Sequence, residues 1–251
     1  MTTMRRIFRT PAGYVVDADG VYRTLEGDLF GEWHAGAEVP APTTLLAPVM
    51  PSKIVCIGLN YKDHAAEQGK PLPAEPLLFL KPSSAIIAPG EAIVLPAGVG
   101  RVDYESEVAV VIGRRATKVS EADALSYVFG LTCMNDVTAR DLQKKDGRYT
   151  RAKGFDTFAP LGPCIATGLS TDDLAVSGLL NGEVRQQSST RELIFPVATL
   201  IAYISRIMTL LPGDIVSTGT PAGIGPLQAG DEIVVRVQGI GELRNPVRSD
   251  S

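Results

Sequence analysis

The run Asp103-Tyr104-Glu105-Ser106-Glu107 passes directly into Val108-Ala109-Val110-Val111-Ile112. An unbroken apolar stretch of this kind reads as a strand covered on both faces, so the chain must place a layer of structure on each side of it. Its acidic lead-in sets a second condition. Residues two apart share a face of a strand, so Asp103, Glu105 and Glu107 are expected to project to one side, with neighbours about 6.5–7 Å apart. Like charges there repel at the mouth of a buried strand unless a cation lies among them.

The chain is large enough for such a core. At ~150 residues per domain, 251 residues suggest one large domain, or one domain with a small appendage, able to fold without disulfides or a metal. With 45% hydrophobic and 21% charged residues, disorder, collagen and coiled coil are excluded. Lys+Arg 24 against Asp+Glu 28 leaves a formal charge of −4 with no basic block, which argues against nucleic acid or an anionic membrane as partner. Cys56, Cys133 and Cys164 are far apart, form no CxxC and read as reduced thiols. No apolar run reaches ~18 residues and the N-terminus lacks an apolar signal core, so a soluble, cytoplasmic protein is expected.

Short alternating segments at Gly13–Val16, Gly20–Thr24 and Asp28–Trp33 predict a small N-terminal β domain over residues 1–47. The prolines at 40, 42, 48 and 51 then suit an extended linker, and the main domain follows over residues 48–251. Its strand candidates are Lys53–Leu59, Leu77–Lys81, Ala92–Leu95, Glu105–Ile112, Val128–Asn135, Ile215–Thr218 and Glu232–Val237. Helix signals are few: Tyr61–Gly69, Glu121–Tyr127 behind a Ser120 N-cap, and Pro196–Met208 with Pro at its first turn. Strands outnumber helices and βα alternation is missing. The reading is a β-rich α+β fold, neither doubly wound nor a TIM barrel.

The second apolar strand, Leu131–Asn135, ends in Asp136, which becomes a third ligand beside Glu105 and Glu107 if the two strand ends lie together. All these donors are oxygens, which favours Mg²⁺ or Mn²⁺, with Ca²⁺ possible, over zinc or copper. The same pattern also suits a solvated acidic face paired with arginines. Of the two histidines, His34 has no partner in sight. His64 and Glu67 stand at i and i+3 of a helix, where a carboxylate can fix the imidazole tautomer as a general base requires, or simply form a polar helix face.

Lys153 in RAKGFD reads alone as a surface lysine, and Arg140, Asp141 and Gln143 either reach the same site as Asp136 or begin a turn. Ser217–Pro226 (STGTPAGIGP) is a glycine loop whose amides can cradle an anion or merely join two strands. It lacks GK[ST], so it is no P-loop, and neither Ser83 nor Ser217 has the GxSxG context of a serine hydrolase.

Five segments taken in order resemble the fumarylacetoacetate hydrolase family: GLNYKDHAAE (58–67), DYESEVAVVIG (103–113), NDVTARDLQ (135–143), KGFDTFAPLGP (153–163) and STGTPAGIG (217–225). The resemblance covers residue 50 onward, and the N-terminal part looks like the small domain of bacterial members. Those act on 2-hydroxyhepta-2,4-diene-1,7-dioate, acylpyruvates or oxaloacetate. It implies a mixed β-roll or barrel core, usually a homodimer, and no organic cofactor. It further implies Mg²⁺ or Mn²⁺ on Glu105, Glu107 and Asp136, and a His64–Glu67 dyad on a lid. Lys153, Gln143 and Arg140 would contact substrate, and Gly219-Thr220 would hold its carboxylate. The expected substrate is a small 2-keto or 2-enol carboxylate, handled by isomerisation, decarboxylation or acylpyruvate hydrolysis. True fumarylacetoacetate hydrolysis, and a metal-binding but idle member, are the alternatives. Three departures stand out: Ser106 between the glutamates, Cys164 where a larger apolar residue is expected, and Gln187–Thr190 in place of a Gly-rich stretch.

Overall fold

Period-two patterning and turn chemistry shape the first elements. The computed structural model describes residues 4–250, and in it β1 (Arg5–Thr10), β2 (Gly13–Ala18), β3 (Val21–Gly27) and β4 (Trp33–Glu38) form an antiparallel meander. The expected strand at Asp28–Trp33 is displaced to Trp33–Glu38. The Asp28 side chain accepts the Phe30 amide at 3.0 Å and its carbonyl the Gly31 amide at 3.0 Å, so these residues turn instead.

Next come β5 (Ile54–Gly58), α1 (Lys62–Glu67), β6 (Leu77–Lys81), and three short strands, β7 (Ile86–Ile87), β8 (Ile93–Leu95) and β9 (Val102–Tyr104). Then β10 (Ser106–Ile112) and β11 (Val128–Asn135) pair antiparallel, with Ser106 opposite Asn135, so the start of one strand meets the end of the other. Between them Ser120 caps α2 (Glu121–Ala124), accepting the Asp123 amide at 3.2 Å. The chain continues through β12 (Thr138–Ala139), α3 (Arg140–Asp146), α4 (Thr150–Lys153), β13 (Ala159–Thr167) and the hairpin β14 (Ala175–Leu180)–β15 (Glu183–Ser189). Last come α5 (Val197–Ile207), β16 (Ile215–Ser217), β17 (Gly225–Pro226), β18 (Glu232–Val237) and β19 (Gly241–Ser249).

The large sheet has the order β4-β3-β2-β1-β13-β11-β10-β16-β5-β6; a second sheet runs β15-β14-β18-β19-β8, and a small third runs β12-β9-β17. Because β1 pairs with β13, the N-terminal meander extends the main sheet. The centre of that sheet is buried on both sides. From β10, Val108, Val110 and Ile112 enter one core with Val55, Leu131 and Leu200 of α5, while Ala109 and Val111 enter another with Ile7, Ile54 and Met134. Burying each such aliphatic side chain contributes about 1.5–3 kcal/mol. The fold is α+β and sheet-dominated.

Parallel pairing of β16 with β5 is pinned by Asp214, which is fully buried. It accepts the Ser52 amide at 3.0 Å, the Ser52 hydroxyl at 2.6 Å, the Leu211 amide at 2.8 Å and the Lys53 ammonium. This fixes where β16, a three-residue strand leading into the glycine loop, begins.

The single acidic strand expected from Asp103 to Glu107 is broken. β9 belongs to the small sheet and β10 to the large one, with Glu105 at the junction. Asp103 therefore does not join the two glutamates. It is claimed by Arg101 at 2.6 Å and Arg140 at 2.8 Å.

Candidate active site

Three carboxylates meet where β10 begins and β11 ends. Glu105, Glu107 and Asp136 are buried, and one oxygen from each lies within 4.8 Å of the others. Glu107 is the one without a cation. Among the described residues no lysine or arginine reaches it, and it accepts only the Ser217 hydroxyl at 2.5 Å and the Gly219 amide at 2.9 Å. Burial, and then the charges of Asp136 and Glu105, push its carboxyl up to about 8. A buried carboxylate unmatched by the protein, beside two more oxygen donors, fits a hard divalent cation.

Lysines enter the same centre from two directions. Lys153, at the end of α4, donates to Asp136 at 2.5 Å, Glu105 at 2.9 Å and the Thr138 hydroxyl at 2.9 Å. Burial alone would lower its pKa, but the Asp136 and Glu105 carboxylates together outweigh this and hold it above the usual lysine value. Lys81, at the end of β6, donates to Asp136 at 2.6 Å and to the Val137 carbonyl at 3.0 Å. With one carboxylate rather than two against the same burial, its pKa falls below the usual value. Sequence reasoning missed Lys81. The available signal was a charged residue closing the apolar strand Leu77–Lys81, on the strand beside β5.

Arg140 donates to Asp103 at 2.8 Å and also pairs with Glu105, while its third arm reaches Gln143 at 2.9 Å. Burial would raise the Glu105 carboxyl, but Lys153 and Arg140 overcome it and hold the group well below the usual carboxylate range. Arg101, Arg140, Lys81 and Lys153 thus face Asp103, Glu105, Glu107 and Asp136, so with every group ionised the centre is balanced. A divalent ion would give it a positive excess, which suits an anionic ligand.

The centre opens on a cavity of about 600 Å³ whose lining includes Glu105, Glu107, Arg140, Gln143, Lys153, Thr220, His64 and Gln68. His64 Nδ1 lies 2.8 Å from Glu67, and its Nε2 lies 2.7 Å from the Gln68 side-chain amide. With the Glu67 carboxylate as acceptor, Nδ1 carries the proton and Nε2 receives one from Gln68. Glu67 is further held by the Gly223 amide at 2.9 Å, which ties the dyad to the glycine loop.

Gly219 and Thr220 already have partners within the protein. The Gly219 amide seats Glu107, and the Thr220 hydroxyl donates to the Ser106 carbonyl at 3.1 Å while accepting from Gln186 at 2.8 Å. Gly219 has φ +98, and a Cβ there would stand 2.9 Å from that of Asn60, so the close approach requires glycine. His34 lies apart on exposed β4, beside Glu26.

Residues 53–248 match the profile of the fumarylacetoacetate (FAA) hydrolase C-terminal domain. An uncharacterized protein of Archaeoglobus fulgidus is 53% identical over 84% of each chain. The mitochondrial oxaloacetate tautomerase Fahd2a of Rattus norvegicus is 42% identical over 81% of this chain and 69% of its own. The crystal structure of 2-hydroxyhepta-2,4-diene-1,7-dioate isomerase from Mycobacterium marinum superimposes with a TM-score of 0.90, at 41% identity over the full length of both chains. The chain therefore belongs to the fumarylacetoacetate hydrolase family of enzymes. No helix among the described residues is long and apolar enough to cross a membrane.

One consequence concerns protons. A carboxyl pushed up to about 8 is mostly protonated at pH 7 and must ionise to bind a cation. Metal binding at pH 7 is therefore expected to release close to one proton, and affinity to rise with pH until about 8. Calorimetry in buffers of different ionisation heats checks this, and equal apparent enthalpies in all buffers would contradict it.

Proposed function

We propose that this enzyme moves a proton at C3 of 2-oxo or 2-enol carboxylates, with Mg²⁺ or Mn²⁺ held by Glu105, Glu107 and Asp136. The observation that carries the reading is Glu107: a buried carboxylate with no protein cation, next to two others, lining a cavity that His64, paired with Glu67, also lines. When bound, the ion supplies Lewis acidity that stabilises negative charge on the substrate's 2-oxygen.

The remaining steps fall to side chains. Arg140 and Gln143 orient the substrate carboxylate, and Lys153 faces the developing enolate oxygen. His64 Nε2, once Gln68 gives way, accepts the proton from C3, and Glu67 stabilises the imidazolium that results. Reversal at oxygen or at a remote carbon completes a tautomerisation or isomerisation. The named activities of the rat relative and the M. marinum neighbour are both of this type. The same dyad is also the arrangement that activates a water, so acylpyruvate hydrolysis is the second reading, with Lys153 facing the same oxyanion.

The first test is calorimetric titration of oxalate, which mimics the enolate of pyruvate, with and without Mg²⁺ or Mn²⁺. Metal-dependent binding is expected, and no binding with either ion would sink the proposal. His64→Ala then separates the routes. Decay of the enol absorbance of oxaloacetate is expected to slow by about 10²–10⁴-fold, and acylpyruvate cleavage lost with enol decay intact would favour the hydrolytic reading.

A further inference from the structure

The two glutamates at the centre flank Ser106, and the backbone of that one residue is held by a closed ring of side-chain hydrogen bonds. The Ser106 amide donates to Gln186 Oε1 at 2.9 Å. Gln186 Nε2 donates to the Thr220 hydroxyl at 2.8 Å, and that hydroxyl donates back to the Ser106 carbonyl at 3.1 Å. The second proton of Gln186 Nε2 goes to the Pro221 carbonyl at 2.8 Å. Gln186 is 1% exposed and lies on β15, on the far side of β14 from the rest of its sheet, so it reaches the large sheet by its side chain alone.

The ring stands where the strand is interrupted. β9 ends at Tyr104 and β10 begins at Ser106, each in a different sheet. The side chains of Glu105 and Glu107 bring their ligand oxygens within 4.8 Å from starting points that strand geometry sets about 6.5–7 Å apart along the backbone. The two peptide planes joining Glu105 to Ser106 and Ser106 to Glu107 set that spacing. Both are gripped by the ring, one through its N–H and the other through its carbonyl. Across the hairpin, Gly178 is the register partner of Gln186. A Cβ at Gly178 would stand 2.4 Å from Ser106 Oγ and 2.9 Å from Gln186 Oε1, so the missing side chain there leaves the room in which Gln186 reaches Ser106.

We infer that Gln186 is a positioning residue for the metal centre, setting the separation of Glu105 and Glu107 from the second sheet. The inference rests on the reading of those carboxylates as metal ligands. Mn²⁺ alone is the probe, its affinity measured by calorimetry on the full chain alongside the thermal midpoint of the metal-free protein. If the unaltered protein binds no Mn²⁺, the reading of the centre fails and the inference fails with it. If it binds, Gln186→Met, which keeps length but no hydrogen bond, is expected to lose about 10–100-fold in affinity. Gln186→Glu, which keeps the acceptor for Ser106, is expected to lose less than Gln186→Met. Gly178→Ala, which presses the same ring from the partner strand, is expected to weaken binding independently and carries the test if both Gln186 variants fail to fold. A drop in thermal midpoint with an unchanged Mn²⁺ affinity, in Gln186→Met or, failing that, in Gly178→Ala, would mean that the ring only braces the fold and would overturn the inference.

Discussion

Replacing Glu107 with glutamine is expected to abolish metal-dependent turnover while making the metal-free protein more stable in alkaline solution. The two effects share one cause. Glu107 is the carboxylate that the protein leaves without a cation, so under the proposed function its charge would serve a metal, and without one it opposes folding. Glutamine keeps the shape and can still accept from Ser217 and Gly219. Loss of a ligand charge removes several kcal/mol of stabilisation at the developing oxyanion, which corresponds to about 10³-fold or more in rate.

The pH dependence follows from the direction of the shift. The carboxyl is raised from 4.5 to about 8 in the folded protein. Its contribution to stability is therefore fully present below about 4.5, declines as the pH rises and the unfolded chain ionises first, and is gone above about 8. At about 1.4 kcal/mol per unit, the loss across that window is roughly 3–5 kcal/mol. Glu105 works in the opposite sense, but its folded value lies far below the ordinary range, so it titrates only in more acid solution. Thermal midpoints in chelator should thus diverge between Glu107→Gln and the unaltered protein from pH 5 to pH 8. Parallel curves, or turnover retained by the variant in the presence of chelator, would show that Glu107 has been misread.

How much of this was legible in the sequence depends on what each element uses to hold itself. β10, β11, β18 and β5 announce themselves because strands buried on both faces read as apolar runs. β13 carries Pro160 and Pro163, which argue against a central strand, yet it sits between β1 and β11. Pro163 falls at a register shift between Leu131 and Cys133, next to Gly162, while Pro160 lies opposite Ile87 of the short strand β7. The hairpin β14–β15 was overlooked although its turn, Asn181-Gly182, has both residues at positive φ and is a strong short-range hairpin signal. Gln186 could not be found from sequence, because its partners lie 34 and 80 residues away along the chain. The site residues outside the triad were visible mainly as motif order. Single residues such as Lys153 or Gln143 have no local pattern, and only tertiary folding brings them to one cavity. Asp103 shows the limit of period-two reasoning, because the strand it was assigned to changes sheets at Glu105.

The second large effect is expected at Lys153. Its ammonium bridges Glu105 and Asp136, the two carboxylates that Glu107 would join around a cation. In the metal-free protein Lys153 therefore competes with the ion for the same oxygens. Lys153→Met keeps a buried unbranched stem and removes the ammonium, with its hydrogen bonds and its place 4.7 Å from the Phe79 ring centroid. Without metal, Glu105 retains Arg140 and Asp136 retains Lys81, but each loses one partner in a buried setting. Breaking such pairs costs about 3–5 kcal/mol, so the thermal midpoint in chelator should fall by many degrees. Mn²⁺ should then bind more tightly than to the unaltered protein, because a positive charge next to its ligands is gone, and should recover much of the lost stability. Turnover should nevertheless drop by about 10²–10³-fold, since the group facing the enolate oxygen is missing. Affinity and activity thus move in opposite directions. Calorimetry with Mn²⁺ and steady-state rates on the same preparation decide the matter. A fall in Mn²⁺ affinity would mean that Lys153 supports the centre rather than competing for it. Full activity in the variant would remove it from the chemistry.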